Sequence, residues 1–238
     1  MKIYENSIPP IHRLIKTDSS YALIFVAGLG ATLHQQREAF IARFADKNKL
    51  NYLSFDTTQK AYSCQNLTLL ETKAAQTISQ HFSYKRLIFC GTCFGGVLAM
   101  RLANTFVRNT DFVLLTSPAI NYCENYIFDK VIKRVEIKKT IAKTKDQLTN
   151  LCLLEKILKM SKDFSKPQPT LYQGPITILH PEYDNIIPLE NSHKMVKKLN
   201  RSNVALQVLE NDTHMLKHDF CLNTPIKVLS DFLQRQKS

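Results

Sequence analysis

The chain has 238 residues, 44% of them apolar, a fraction that one large core uses better than two small ones. A chain of this length buries about 70% of its extended surface, which excludes a disordered protein and one that needs disulfides or a metal to fold. Its formal charge of +12, from 32 Lys and Arg against 20 Asp and Glu, attracts anionic partners without choosing among nucleic acid, anionic membrane and acidic carriers.

Residues 1–20 read as an irregular lead-in or a weak hairpin, with an acid at Glu5 and no run apolar enough for a signal peptide. Tyr21 to Ala27 is a continuous apolar run closed by Gly28-Leu29-Gly30, the pattern of a strand buried on both faces. The nearly apolar stretch Tyr21 to Ala31 is too short for a bilayer. Helix Gln35–Lys47, strand Asn51–Phe55, helix Leu67–Phe82, strand Arg86–Cys90, helix Phe94–Phe106 and strand Phe112–Thr116 follow in alternation. Strands alternating with helices imply crossover units and a parallel sheet.

The alternation stops at Ser117-Pro118 and resumes at Gly174-Pro175 with strand Ile176–His180, helix Leu189–Leu199, strand Ala205–Leu209 and helix Phe220–Gln234. Between them Ile127, Val131, Val135, Leu148, Leu151, Cys152 and Leu158 fall at helical spacing with Lys and Arg interleaved. Segment 119–170 therefore reads as a helical lid inserted into a single domain spanning 1–238. It carries eleven Lys and Arg against six Asp and Glu, and Ser161–Pro169 is its linker-like stretch.

Gly91-Thr92-Cys93-Phe94-Gly95-Gly96 joins an apolar strand directly to a helical pattern. Such a strand, sharp turn and helix force the apex residue, Cys93, into a strained backbone conformation and thrust its side chain outward; the flanking glycines remove colliding side chains. The apex also lies at a helix N-terminus, where unpaired N–H groups favour negative charge and bias a thiol toward thiolate. Cys90 completes a CxxC with Cys93, but it belongs to the strand and is expected to point into the sheet packing. The six cysteines, Cys64, Cys90, Cys93, Cys123, Cys152 and Cys221, show no zinc-ligand spacing, so a reducing cytoplasm is expected and neither metal nor cofactor.

Here the sequence resembles the α/β-hydrolase superfamily, from about Tyr21 to the C-terminal helix. The resemblance implies a doubly wound, mostly parallel α/β sheet with a helical lid. It also implies an oxyanion hole from the backbone N–H groups of Leu29, in the turn Ala27-Gly28-Leu29-Gly30, and of Phe94, after the nucleophile. Ala27 departs from the family, where many members have His, so the hydrogen bonding that braces that turn is either missing or supplied otherwise. Asp184, in the turn after strand 176–180, matches the family's acid. His214, after the last strand, matches its base, and the order Cys93, Asp184, His214 is the order this fold uses. Cysteine where most relatives have serine resembles enol-lactone hydrolases, polyester synthases and some thioesterases.

The expectation is therefore a cysteine-nucleophile member: an acyl hydrolase of esters or thioesters working through an acyl-enzyme. Alternatives are an acyltransferase that moves an acyl group from coenzyme A or a carrier protein, and a non-catalytic small-ligand binder on the same scaffold. Acyl-CoA or acyl carrier protein would suit the basic surface. No zinc finger, aromatic-basic signature or separate helix-turn-helix points to nucleic acid. His180 reads as packing beside the site, and His218, four residues after His214, lacks an evident third metal ligand.

Overall fold

A computed structural model describes residues 11–28, 31–55, 67–120, 133, 135–141, 143–144, 170–214, 216 and 218–236. The strands are β1 (Ile11–Ile15), β2 (Tyr21–Val26), β3 (Asn51–Phe55), β4 (Arg86–Thr92), β5 (Thr110–Thr116), β6 (Ile176–Pro181) and β7 (Val204–Leu209). The helices are α1 (Ala31–Lys47), α2 (Leu67–Phe82), α3 (Phe94–Thr105), α4 (Leu189–Leu199) and α5 (Asp219–Arg235). The seven strands form one sheet in the order β1-β3-β2-β4-β5-β6-β7. Every pairing is parallel except that of β1 with β3.

Alternation along the strands explains the two-sided core, because successive side chains leave a strand on opposite faces. Ala22, Ile24, Val26, Leu87 and Phe89 pack with Ala74 and Ile78 of α2, Leu98 of α3 and Met195 of α4. Leu23, Phe25, Ile88, Cys90 and Leu114 pack on the other face with Ile41 and Ala45 of α1 and Leu229 and Phe232 of α5. Cys90 thus lies in the sheet packing, as its place on the strand predicts.

Two boundaries differ from the sequence reading. The lead-in is partly a strand: β1 pairs antiparallel with β3 at the sheet edge, and Arg13 and His12 lie 3.5 and 3.7 Å from the buried Glu38 of α1. Mixed polar residues such as these give no alternation to read. Helix α1 starts at Ala31 rather than Gln35, because the apolar period becomes visible only where the helix meets the core at Ile41, Ala42, Phe44 and Ala45.

Most of segment 119–170 lies outside the described residues, including Ile127, Val131, Leu148, Leu151, Cys152, Leu158 and the stretch 161–169. Of the apolar positions read there at helical spacing, Val135 is described: it is buried, in a helical stretch over 135–140. No described helix is long and apolar enough to cross a membrane.

Candidate active site

The turn between β4 and α3 presents Cys93 at φ 52° and ψ −124°, in the left-handed half of backbone space that a side chain makes costly. Its neighbours hold it there. The Cys93 N–H donates to Thr116 O at 2.9 Å, and the Cys93 carbonyl accepts from Gly96 at 3.0 Å and from Ala119 at 2.9 Å. Glycine is required at two flanking positions: a Cβ on Gly95 would lie 2.2 Å from Val26 O, and one on Gly91 would lie 2.6 Å from Gly95 O. Cys93 is half-buried, whereas Cys90 and Cys221 are buried.

Asp184 and His214 come from loops after β6 and β7, which the parallel pairing brings side by side. His214 Nδ1–H donates to Asp184 Oδ2 at 2.7 Å, with both side chains almost wholly buried. The other carboxylate oxygen accepts the N–H groups of Ile186 at 2.9 Å and Ile187 at 2.8 Å, so the acid is fixed from both ends. Burial opposes ionisation of Asp184, but the His214 ring and these backbone donors prevail and hold its carboxyl below the usual range. Burial likewise pulls the imidazole down. The sulfur of Cys93 and the Asp184 carboxylate outweigh that and push it up to about 9.

The three predicted side chains therefore meet at the C-terminal ends of the strands, where open parallel sheets place their sites. Phe94 opens α3, at the helix N-terminus where the dipole favours negative charge. Leu29 lies outside the described residues. The turn before it is braced from the elbow: Gly28 N–H donates to Thr92 Oγ1 at 3.2 Å, replacing any histidine at Ala27. That bond was invisible in sequence, because 64 residues separate its partners.

Two further residues lie beside Asp184 and His214. His180, expected only to pack nearby, is fully buried; its Nε2–H donates to Ile187 O at 2.9 Å and its Nδ1 accepts from Ser192 Oγ at 2.7 Å. Burial pulls this ring below its ordinary value and outweighs Ile187 O and Asp184, so it is neutral and pins the acid turn. Arg37 of α1, which no motif marks, is buried and donates through Nη2 to the backbone carbonyl of His214. Among the described residues no cluster of His, Cys, Asp and Glu could hold a metal ion.

No protein-family model matches the chain, and no curated protein matches it. Solved structures do. Alpha/beta hydrolase domain-containing protein 10 from mouse is 12% identical, with a TM-score of 0.70, covering 99% of this chain and 98% of that one. A metagenome-derived lipolytic enzyme is 13% identical, with a TM-score of 0.68, over 98% of this chain and 100% of that one. An esterase from Pyrococcus furiosus is 16% identical, with a TM-score of 0.66, over 93% and 84% respectively.

These likenesses correct one expectation. The matched proteins are described as α/β-hydrolases, esterases and lipolytic enzymes, the types whose elbow carries serine, and none of those named is described as a cysteine enzyme. Membership of a cysteine-nucleophile branch, and the cysteine-dependent esterase or thioesterase activity read from it, is therefore not upheld. The apex is a turn geometry that seats either residue, so the side chain found there does not define the branch. What stands is the architecture: a mostly parallel α/β sheet flanked by helices, with a lid insertion, that is the α/β-hydrolase fold.

Proposed function

We propose that this chain is an α/β-hydrolase-type enzyme that hydrolyses esters or thioesters of a small acyl substrate at the site formed by Cys93, His214 and Asp184. The observation that carries the reading is the 2.7 Å bond between His214 and Asp184, with the elbow side chain, Cys93, acting electrostatically on the same imidazole. Asp184 fixes the tautomer and ring plane of His214, which leaves the other ring nitrogen to move a proton at the apex. The N–H groups of Phe94 and Leu29 are the proposed donors to the oxyanion; each such donor contributes about 3 kcal/mol to the transition state. The chain acts as one domain, 1–238, with 119–170 as its lid.

Acyl-CoA or an acyl carrier protein is the finer choice of substrate, supported by the charge of +12 and by exposed Lys133 and Lys138 on the described part of the lid. A reducing, cytoplasmic setting is supported by the free thiols of Cys90, Cys93 and Cys221. The test replaces the apex with the serine usual to the elbow and, separately, alters His214 and Asp184. On p-nitrophenyl esters and acyl-CoAs, Cys93→Ser is expected to be active. His214→Gln loses turnover, and Asp184→Asn loses about 10⁴-fold in kcat. Wild-type turnover in His214→Gln would sink the proposal.

A further inference from the structure

Arg37 carries an obligatory charge and is 7% exposed. One of its N–H groups is accounted for, by the His214 carbonyl; Nε and Nη1 are buried without a partner among the described residues. Burial pulls the guanidinium down, and Cys93, Asp184 and Asp212 act on it in the opposite direction. A full cation kept out of water with unmatched donors is costly, so its place needs a reason.

Binding a substrate group is not that reason. The cavity it shares with Phe25, Cys90, Thr92, Leu114 and Thr116 is about 20 Å³, room for about one water. An anion there would face Asp184 and Asp212, which already provide countercharge. What remains is the link to the histidine. Helix α1 is fixed to the sheet through its next residue: Glu38 accepts from Tyr52 at 3.1 Å and from Ser54 at 3.0 Å. Arg37 extends that anchored helix to the main chain of residue 214, across 177 positions of sequence.

We propose that Arg37 is a positioning residue of this site, tying the His214 loop to α1 and using its buried charge to limit how tightly the imidazole holds its proton. The inference rests on the hydrolase reading for its kinetic consequence but not for its physical one. The groups that act on the His214 ring are Cys93 at the elbow and Asp184 and His180 from the β6 side; Arg37 of α1 reaches the carbonyl of the same residue, and Asp212 of the same loop acts on Arg37. Cys93 and Asp184 favour the charged ring, and Arg37, bonded to the carbonyl of the same residue, is the permanent cation set against them. Without it His214 would hold its proton to higher pH, and the neutral ring needed to accept a proton would become scarcer.

The test follows the His214 ring by nuclear magnetic resonance across pH in the full chain, with His214→Gln to assign its signals. In Arg37→Met the titration midpoint is expected to rise by about one pH unit, and the acid limb of kcat/KM to move with it. Arg37→Lys keeps the charge but not the planar fork; its midpoint stays near that of the wild type, while kcat falls about tenfold at unchanged KM through loss of alignment. If Arg37→Met does not fold, Arg37→Gln takes its place. An unmoved midpoint in the neutral variant overturns the electrostatic role, and wild-type kcat in Arg37→Lys overturns the positioning role. The midpoint is read without substrate, so it stands or falls separately from the enzymatic assignment.

Discussion

Adding one methyl group at Gly95 tests how the elbow is seated. The new Cβ would lie 2.2 Å from Val26 O and 2.3 Å from Ala27 O, so reaching 3.0 Å requires a displacement of 0.8 Å at the first contact. Neither oxygen can give way cheaply, because Val26 is the last residue of β2, held in register with Gly91 of β4, and Ala27 follows it directly. Overpacking against fixed backbone costs about 3 kcal/mol, and for a chain of this length that lowers Tm by about 6–12 °C. The same displacement shifts the end of β2, which leads into Gly28, and a misplacement near 1 Å costs about 10²-fold in kcat/KM. Gly96→Ala is the control: its Cβ meets Pro118 Cβ at 3.0 Å and Cα at 3.2 Å. A shift of a few tenths of an ångström suffices there, and a gain in helix propensity of about 1 kcal/mol offsets it. Calorimetric melts and p-nitrophenyl ester kinetics of both variants decide the matter. If Gly95→Ala melts and turns over like Gly96→Ala, α3 is not packed against the end of β2 as described.

The remaining predictions concern protons and thiols. Because His214 is raised from 6.5 to about 9 in the folded chain, the stability it contributes is complete below pH 6.5 and is lost as pH climbs to 9. The loss is about 3 kcal/mol, and urea midpoints at the two pH values should show it in the wild type and not in His214→Gln; equal pH dependence in the two would refute it. His180 acts with the opposite sign: its lowered value means that stability is lost as pH falls below 6.5, so His180→Gln should flatten the acid side of the same curve. Finally, brief iodoacetamide treatment of the native protein should label Cys93 ahead of Cys90 and Cys221. The first is half-buried, and burial pushes the thiols of the other two up, with Asp212 adding to the effect at Cys221. Peptide mass spectrometry reads the order, and early modification of Cys90 would contradict the packing of β4.

The turn at Cys93 and the pairing of Asp184 with His214 were legible in the sequence because each part is local. An apolar run closed by glycine, Gly91 and Gly95 around one apex residue, and an Asp and a His each following a strand are patterns within a dozen residues. The alternation of strand and helix gave the parallel sheet for the same reason. The edge strand β1 was missed because its pairing with β3 leaves no apolar alternation in Ile11–Ile15. The branch assigned from Cys93 failed for a different reason: one residue at an apex records what stands there, while the comparisons relate the fold to esterases and lipolytic enzymes.

By itself the sequence determined the periodicities, and with them the elements, their order and the identity of the side chains at each strand end. Only the tertiary structure decided which of those ends touch: that Thr92 braces Gly28, that His180 locks the turn carrying Asp184, and that Arg37 reaches the carbonyl of His214. Hydrophobic spacing is a property of neighbours along the chain. A buried charge finds its partner only after the sheet has closed, when the cost of leaving water is met by a group that may be 177 residues away.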